Sequence, residues 1–371
     1  MKAKLKVFYS ENQQVDTNSS FSPSAGKPKK VLEDWKKHNL PIKVIEPSPL
    51  SRSDLALAHD PKYIKGLLDL EISNGFGNRN ADVARSLPWT TGSFASAAQY
   101  AIRNNTQAVS LTSGFHHSCY DSGGGFCTLN GLVIAAQLLK LHGYAKKVGI
   151  CDLDSHWGDG TAHIIKKLDL DYIEHYSVGG DNRSGAKVLK ALPGIFKKQF
   201  KNCDIVLIQL GADACSDDPL GHKWTLEQMR LRDRIVFQQC KKYNLPLVWN
   251  LAGGYQDNFE NVLSLHRISA EEYFNVFHGI KLDTDCEKNY EKPKRRIPDC
   301  KINRDDDIFD AVIEKPKRRI PDCKINRDDD IFDAVINDDR IEYEEEEKKE
   351  DSWESDIDWD SWDKDKGWRV G

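Results

Sequence analysis

The amino-acid sequence predicts an α/β fold built on a mainly parallel sheet. Short apolar runs, each bounded by glycine and polar residues, alternate with longer segments whose apolar residues recur with a helical period. This alternation is typical of strands that are buried on both faces and connected by helices. The four clearest runs, which we predict to be buried strands, are residues 107–113, 147–153, 204–210 and 245–251.

Further segments complete the predicted domain. The apolar residues at 4–9 predict a strand near the N-terminus. Helical periodicity predicts helices at residues 26–39, 60–70, 129–142, 161–167, 225–243 and 270–277. Because apolar patterning stops close to Gly279, we assign residues 1–280 to one folded domain.

The remainder of the chain has a different composition. Residues 291–313 recur letter for letter as residues 314–336, and each copy has two prolines and 12 charged residues. Such segments bury too little apolar surface to fold, so we expect a disordered charged linker over residues 281–336. Residues 337–371 hold 15 acidic and 6 basic side chains, and their four tryptophans suit a tail that binds a basic partner.

The charge balance excludes several classes of protein. The net charge is −5, of which the tail carries −9, so the domain itself lacks the basic surface of a nucleic-acid-binding protein. No apolar run approaches the ~18 residues of a membrane span.

Nine cysteines without close pairs suit a reducing compartment, and we expect a cytoplasmic protein. The Lys-Pro-Lys-Arg-Arg clusters at Lys292 and Lys315 make nuclear localisation the alternative, and the oligomeric state is left open.

Polar residues follow each of the four predicted buried strands. In open parallel sheets, ligands bind beyond the carboxyl ends of the strands. We therefore expect these four polar segments to converge on one crevice. They are residues 114–117, 152–159, 211–213 and 252–255.

Three of these polar residues form a candidate metal site. Asp152, Asp154 and His156 alternate along the chain, so they can project to one side of an extended strand. Asp213 follows a neighbouring strand. Asp154, His156 and Asp213 would then offer a divalent ion three ligands and leave positions for water and substrate. For the Asp-x-Asp-x-His motif alone, a polar loop without metal is the alternative.

The other polar residues suggest acid–base chemistry. His116 and His117 have two carboxylates available, Asp152 and Asp159, and we interpret them as two histidine–carboxylate dyads. Tyr255 follows two glycines, which would let the chain direct its phenol towards the metal. Simple packing is the alternative for Tyr255.

Four segments together resemble the zinc-dependent histone deacetylase family, which includes acetylpolyamine amidohydrolases. In order and spacing, they are GFHHSCYDSGGGFCTLNG, CDLDSHWGDG, LGADACSDDPLG and LAGGY, and the resemblance spans residues 58–277. It implies a single arginase/deacetylase-like domain with a mainly parallel eight-stranded sheet between helices. It also implies a zinc ion below a narrow acyl-lysine channel.

The resemblance assigns a role to each candidate residue. It implies zinc ligation by Asp154, His156 and Asp213, dyads His116–Asp152 and His117–Asp159, and stabilisation of an oxyanion by Tyr255. The residues implied at the substrate channel are Gly125, Phe126, Gly253 and Gly254.

The sequence also departs from the family pattern. Trp157 replaces the second histidine usual after the ligand histidine, and Ser118 stands where alanine is common. Residues 176–186 do not present the aromatic residue that the family places opposite Phe126. The family's potassium site uses a serine hydroxyl, and the position that we align to this serine is Ile173, so potassium is left open.

The expected activity is hydrolysis of an acetyl or other acyl group from the amine of a lysine side chain or a related acetylated amine. Metal-activated water would attack, His117 would serve as acid and base, and Tyr255 would stabilise the oxyanion. Acetylated proteins, acetylpolyamines and other small amides all fit this chemistry.

An arginase-like hydrolase with two manganese ions is disfavoured, since no second aspartate lies two residues after Asp213. A non-catalytic acyl-lysine-binding module is disfavoured because every inferred catalytic group is present.

Overall fold

Seven parallel strands form one sheet in the computed structural model, which describes residues 4–15, 22–288 and 290–292. The order across the sheet is β2-β1-β3-β7-β6-β4-β5. In chain order the strands are β1 Leu5–Phe8, β2 Ile42–Ile45, β3 Gln107–Ser110, β4 Val148–Asp152, β5 Ile173–Ser177, β6 Ile205–Gln209 and β7 Leu247–Asn250. All pairings are parallel, as the alternation of strands and helices predicted.

Helices cover both faces of this sheet. They are α1 Lys27–Lys37, α2 Arg52–Leu55, α3 Pro61–Leu68, α4 Ala81–Arg103, α5 Gly131–Leu141, α6 Asp159–Lys167, α7 Gly185–Ile195, α8 Leu226–Lys242 and α9 Phe259–His278. Helices α1, α7, α8 and α9 enclose one core with the sheet, while α4 packs with α5 and against β1, β3 and β7. None of the helices in the described ranges combines the length and apolar composition that a membrane span requires.

The predicted elements are largely confirmed, with three exceptions. The described residues contain seven strands rather than the eight that the resemblance implies. The second exception is a set of elements that were not predicted: strands β2 and β5 and helices α2, α4 and α7. Helix α9 begins 11 residues before the predicted start at residue 270.

The chain stays packed beyond the predicted domain end near residue 280. Helix α9 ends at Gly279 in the left-handed conformation, which is the usual glycine C-cap. Further on, Cys286 and Tyr290 are buried. Packing against the domain thus continues past residue 280, and the boundary itself stays a prediction. The repeat and the acidic tail lie outside the described residues, except for Glu291 and Lys292, so their predicted disorder stays a prediction.

Candidate active site

The four predicted polar segments lie at one edge of the sheet. They follow β3, β7, β6 and β4, which are consecutive neighbours in the strand order. Because all four strands run parallel, their carboxyl ends open on the same crevice.

Asp154, His156 and Asp213 form a compact group of three potential metal ligands. Nδ1 of His156 lies 3.1 Å from Oδ1 of Asp154 and 3.1 Å from Oδ2 of Asp213. One ligand atom from each of the three residues lies within 4.8 Å of the other two. Ligand atoms about 2.0–2.1 Å from a tetrahedral zinc ion lie roughly 3.3 Å apart, so these spacings suit that ion.

The bonding state of Asp213 also fits a metal. Its buried Oδ2 accepts no hydrogen bond from any described residue, although His156 is close. A buried carboxylate oxygen without a hydrogen bond is costly unless a cation compensates it. Burial, together with the charge of Asp154, raises the pKa of Asp213 to about 7. The donor set and this uncompensated oxygen therefore fit a divalent cation.

Two glycines allow the chain to approach these carboxylates closely. A Cβ atom on Gly211 would lie 2.4 Å from Oδ1 of Asp213, and one on Gly253 would lie 2.5 Å from its Oδ2. The backbone N–H of Gly253 donates to Oδ2 of Asp154 over 2.9 Å. The predicted substrate residue Gly253 thus lies directly against the candidate metal ligands.

The two predicted histidine–carboxylate pairs are present. Nδ1 of His116 lies 2.7 Å from Oδ2 of Asp152, and Nδ1 of His117 lies 2.6 Å from Oδ1 of Asp159. The two imidazole rings are 4.1 Å apart between centroids, and the ring of His117 is 5.8 Å from that of His156. Each Nε2 is thus left to face away from its carboxylate partner.

The environment shifts the two histidine pKa values in opposite directions. Burial opposes charging of His116, but Asp152 and Asp154 outweigh it and raise the His116 pKa to about 9. For His117, burial and the neighbouring charge of His116 lower the pKa, and its bond to Asp159 compensates only in part. Pairs of titratable groups with pKa values driven apart are typical of acid–base sites.

Tyr255 lies at the end of the glycine-rich loop, where Gly254 has a φ of +143°. Its backbone N–H donates to Oδ2 of Asp218 over 2.7 Å, and its ring is 5.8 Å from that of Phe126. Burial and the charge of Asp213 raise the pKa of the phenol well above its usual value. The phenol therefore keeps its proton and can donate a hydrogen bond.

Gly125 and Phe126 lie beside this group, as predicted for a channel wall. Both have positive φ, and a Cβ on Gly125 would lie 2.5 Å from the ring of His117. The ring of Phe126 is 5.9 Å from that of Phe76, an aromatic residue that the sequence analysis did not identify. Both rings line a cavity of about 60 Å³, which extends towards Ser113 and Thr91.

Trp157 is 45% exposed beside His156. Gly180 allows the short loop after β5 to contact the indole, because a Cβ there would lie 2.5 Å from the ring. The indole thus forms an exposed aromatic surface next to the candidate metal site.

Several residues that support the site were not found from the sequence. Gln209 donates from Nε2 to Oδ1 of Asp152 (3.2 Å) and accepts from the N–H of Phe115 (3.1 Å), so it joins β6 to the histidine pair. Lys27 is fully buried and donates from Nζ to the carbonyl oxygens of Ala252 and Gly253. Burial lowers the pKa of Lys27 to about 8.

Strand β5 brings a serine, rather than Ile173, beside the end of β4. Ile173 begins β5, whereas Ser177, at the end of the same strand, pairs with Asp152. The hydroxyl of Ser177 lies 3.4 Å from the carbonyl oxygen of His156 and accepts from the N–H of Gly158 (3.1 Å). Ser177 therefore offers a hydroxyl beside His156, and potassium binding stays a prediction.

Comparison with known proteins agrees with this fold. A family model described as histone deacetylase domain matches residues 24–178. An uncharacterized protein of Picosynechococcus is 28% identical over 63% of this chain and 87% of its own length. Histone deacetylase 2 of Arabidopsis thaliana is 25% identical over 60% of this chain and 65% of its own length. The chain thus spans less than two thirds of that plant relative.

Two solved structures share the fold. The acetylpolyamine aminohydrolase of Burkholderia pseudomallei has a TM-score of 0.60 at 17% identity, covering 74% of this chain and 99% of its own. The HDA15 HD domain has a TM-score of 0.60 at 20% identity, covering 74% of this chain and 91% of its own. The family model over residues 24–178 and these relatives support the histone deacetylase family for this chain.

Proposed function

We propose that this chain is a zinc-dependent amidohydrolase that removes an acetyl or related acyl group from the amine of a lysine side chain or of a small acetylated amine. The observation that carries the proposal is the geometry of Asp154, His156 and Asp213, in which Nδ1 of His156 lies 3.1 Å from an oxygen of each aspartate, next to two histidine–carboxylate pairs. The similarity of residues 24–178 to the histone deacetylase domain supports the same reaction class.

Zinc would be held by Asp154, His156 and Asp213. When bound there, it would supply a Lewis acid that polarises the amide carbonyl and lowers the pKa of water. The remaining polar residues would supply protons and orientation.

His117 fits the role of general acid and base. Its Nδ1 is engaged with Asp159, so Nε2 is the atom that would accept a proton and later return it to the departing amine. Because burial and the charge of His116 lower its pKa, the imidazole is free to accept that proton at neutral pH. His116, whose pKa is raised to about 9, would keep a positive charge beside the developing negative charge.

Tyr255 would donate its hydroxyl hydrogen to the substrate oxygen as negative charge develops on it. Phe126, Phe76 and Trp157 offer apolar surface for the methylene groups of the substrate. The chemistry of the site fits both kinds of amine, since lysine side chains and polyamines both present an acylated primary amine on a methylene chain. The amine must therefore be identified by experiment.

The metal assignment is tested with Asp213→Ala in the full chain. We expect the variant to lose zinc, measured by elemental analysis after dialysis, because two of the three ligands bind far more weakly than three. The exposed aspartate Asp171 gives a matched control, and Asp171→Ala should keep one zinc per chain. Full zinc occupancy in Asp213→Ala would refute the ligand set.

The substrate class is tested on the zinc-loaded protein with three groups of amides: acetyl-lysine peptides, acetylpolyamines and amides with longer acyl groups. Turnover of any group, abolished by chelation and restored by zinc, supports the amidohydrolase. The group with the highest kcat/KM identifies the substrate class. Absence of turnover on all three, with zinc bound, would contradict the proposed activity.

A further inference from the structure

The residues that follow α9 return to the active-site loops. We call residues 284–288 and 290–291 the C-terminal clasp. At its start, the backbone N–H and the hydroxyl of Thr284 both donate to Oε1 of Glu271, over 3.0 and 2.7 Å. At its end, the N–H of Glu291 donates to Oδ1 of Asn261 over 3.0 Å, and Nδ2 of Asn261 donates to the carbonyl of Glu291 over 2.8 Å. The clasp is thus fixed to α9 at both ends.

A third contact fixes the middle of the clasp to α8. Nε of Arg230 donates to Oε1 of Glu287 over 2.9 Å, and the same guanidinium contacts two glutamates of α9. Between this contact and the one at Glu291 lies Tyr290, whose side chain is buried and packs against the main apolar core.

The hydroxyl of Tyr290 lies where two loops meet. It is 3.2 Å from Sγ of Cys215, 3.2 Å from Oδ2 of Asp217 and 3.2 Å from Oε1 of Gln256. A phenol has one proton to donate and lone pairs to accept, so it can accept from the thiol while donating to one of the two oxygens. Cys215 and Asp217 lie in the loop after β6, and Gln256 lies in the loop after β7.

These two loops carry the groups whose relative position matters for the proposed reaction. Cys215 is two residues after Asp213, and Gln256 directly follows Tyr255. On the inner side, the N–H of Ala212 donates to the carbonyl of Gly253 (3.0 Å). Oδ2 of Asp218, in the loop after β6, also accepts from the backbone N–H of Tyr255 (2.7 Å). Tyr290 joins the same two loops on the outer side.

We propose that Tyr290 is a positioning residue, which holds the loop of the metal ligand Asp213 and the loop of Tyr255 at a fixed separation. Its effect on turnover rests on the proposed function, whereas its effect on the loops does not. Neither loop is part of a helix or strand between Gly211 and Thr225 or between Leu251 and Asn258, so the spacing of the loops depends on the few bonds that join them, of which the Tyr290 hydroxyl makes the outer ones. A displacement of about 1 Å at a catalytic group can cost up to 100-fold in rate.

The test is Tyr290→Phe in the full chain, since it removes the bridging hydroxyl and keeps the packed ring. Tyr172→Phe is the matched control, because the Tyr172 hydroxyl also donates to a partly buried amide, Gln137, but lies at the amino end of β5. Hydrogen–deuterium exchange is measured on peptides that cover residues 211–220 and 252–257.

We expect amide exchange in both loops to be about fivefold faster in Tyr290→Phe, in line with the loss of one buried hydrogen bond. Exchange elsewhere, and exchange in Tyr172→Phe, should match the parent chain. Unchanged exchange in both loops would overturn the proposal. Should Tyr290→Phe fail to fold, Asp217→Ala removes one partner of the same hydroxyl and is judged by the same peptides.

Steady-state kinetics provide a second test of the positioning role. If the parent chain hydrolyses an amide, Tyr290→Phe should lower kcat about tenfold and change KM by less than twofold, because the loops would be misaligned while the channel is intact. An unchanged kcat would overturn the positioning role. If the parent chain hydrolyses none of the amides, the proposed function fails, and the exchange comparison still decides whether Tyr290 joins the loops.

Discussion

Tyr255 shows how burial prepares a single side chain for one task. Burial and the charges of Asp213 and Asp154 keep its phenol protonated, so it can act only as a donor. We expect Tyr255→Phe to keep zinc and to bind substrate, but to lose roughly 100- to 1,000-fold in kcat, as is typical when one oxyanion donor is removed. Steady-state kinetics and zinc analysis check this. A kcat within threefold of the parent would exclude Tyr255 from the reaction.

His59 is a buried histidine away from the site, and its hydrogen bonds specify one tautomer. Its Nδ1 donates to the carbonyl of Cys119 over 2.9 Å, while its Nε2 accepts from the N–H of Asn130 over 2.8 Å. Protonation of Nε2 would therefore place two N–H groups against each other. Burial lowers the pKa of His59 to about 4, against about 6.5 in the unfolded chain.

The sign of the resulting pH dependence follows from this shift. Between pH 6.5 and 4 the unfolded chain binds more protons at His59 than the folded chain, so stability falls as the pH falls. The loss attributable to His59 is about 3 kcal/mol over this window. Urea unfolding at several pH values should therefore show a shallower pH dependence for His59→Gln. The exposed His142→Gln should keep the dependence of the parent, and an equal slope in His59→Gln would contradict the assignment.

At the scale of elements, the carboxyl ends of β6 and β7 must approach each other closely around the candidate metal site. A Cβ on Gly253 would lie 2.5 Å from Oδ2 of Asp213 and 2.9 Å from Oδ2 of Asp154. We expect Gly253→Ala to displace these carboxylates and to weaken zinc binding at least tenfold, measured by competition with a chromogenic chelator. Gly194→Ala is the control, because its Cβ would meet open space in α7.

Gly194→Ala should leave zinc affinity unchanged and raise stability by about 0.5–1 kcal/mol, as alanine favours a helix interior. Unaltered zinc affinity in Gly253→Ala would show that the ligand carboxylates tolerate the added methyl group.

The elements that the sequence predicted are those with strong apolar patterns. Strands β3, β4, β6 and β7 are buried on both faces and appear as continuous apolar runs. Strand β5 was missed because its middle residues are polar and only partly buried, as expected at a sheet edge. Helix α4 was missed because Pro88 and Gly92 interrupt its pattern, although Asn80 caps its start. Gly92 is required there, since a Cβ would lie 2.1 Å from the carbonyl of Ser48.

At the scale of the whole molecule, the candidate site could be predicted where its residues follow strands in characteristic motifs. The supporting residues could not be predicted. Lys27, Gln209 and Tyr290 lie far apart in sequence, and each is an ordinary residue type for the helix, strand or loop in which it lies. Only the fold brings Lys27 within hydrogen-bonding distance of Gly253. Asp218 lay inside a recognised motif, but its bond to the backbone of Tyr255 depends on the packing of two loops.

The position of Tyr290 redefines where the chain can be shortened. A chain ending at residue 292 keeps the C-terminal clasp and loses the repeat and the tail, whose residues 337–371 carry a net charge of −9. We expect it to keep the melting temperature and zinc content of the full chain. Without the tail charge, KM for cationic substrates should change, and the difference from the full chain should shrink as salt rises.

A chain ending at residue 283 is the informative counterpart. It lacks the contacts of Thr284, Glu287, Tyr290 and Glu291, so we expect a lower melting temperature and faster amide exchange in the loops after β6 and β7. Thermal unfolding of the two shortened chains beside the full chain checks both expectations. Unfolding of the chain that ends at residue 292 would show that residues beyond the clasp belong to the packed domain. Equal behaviour of the two shortened chains would show that the clasp contributes nothing to stability, because the packed domain would then be complete at α9.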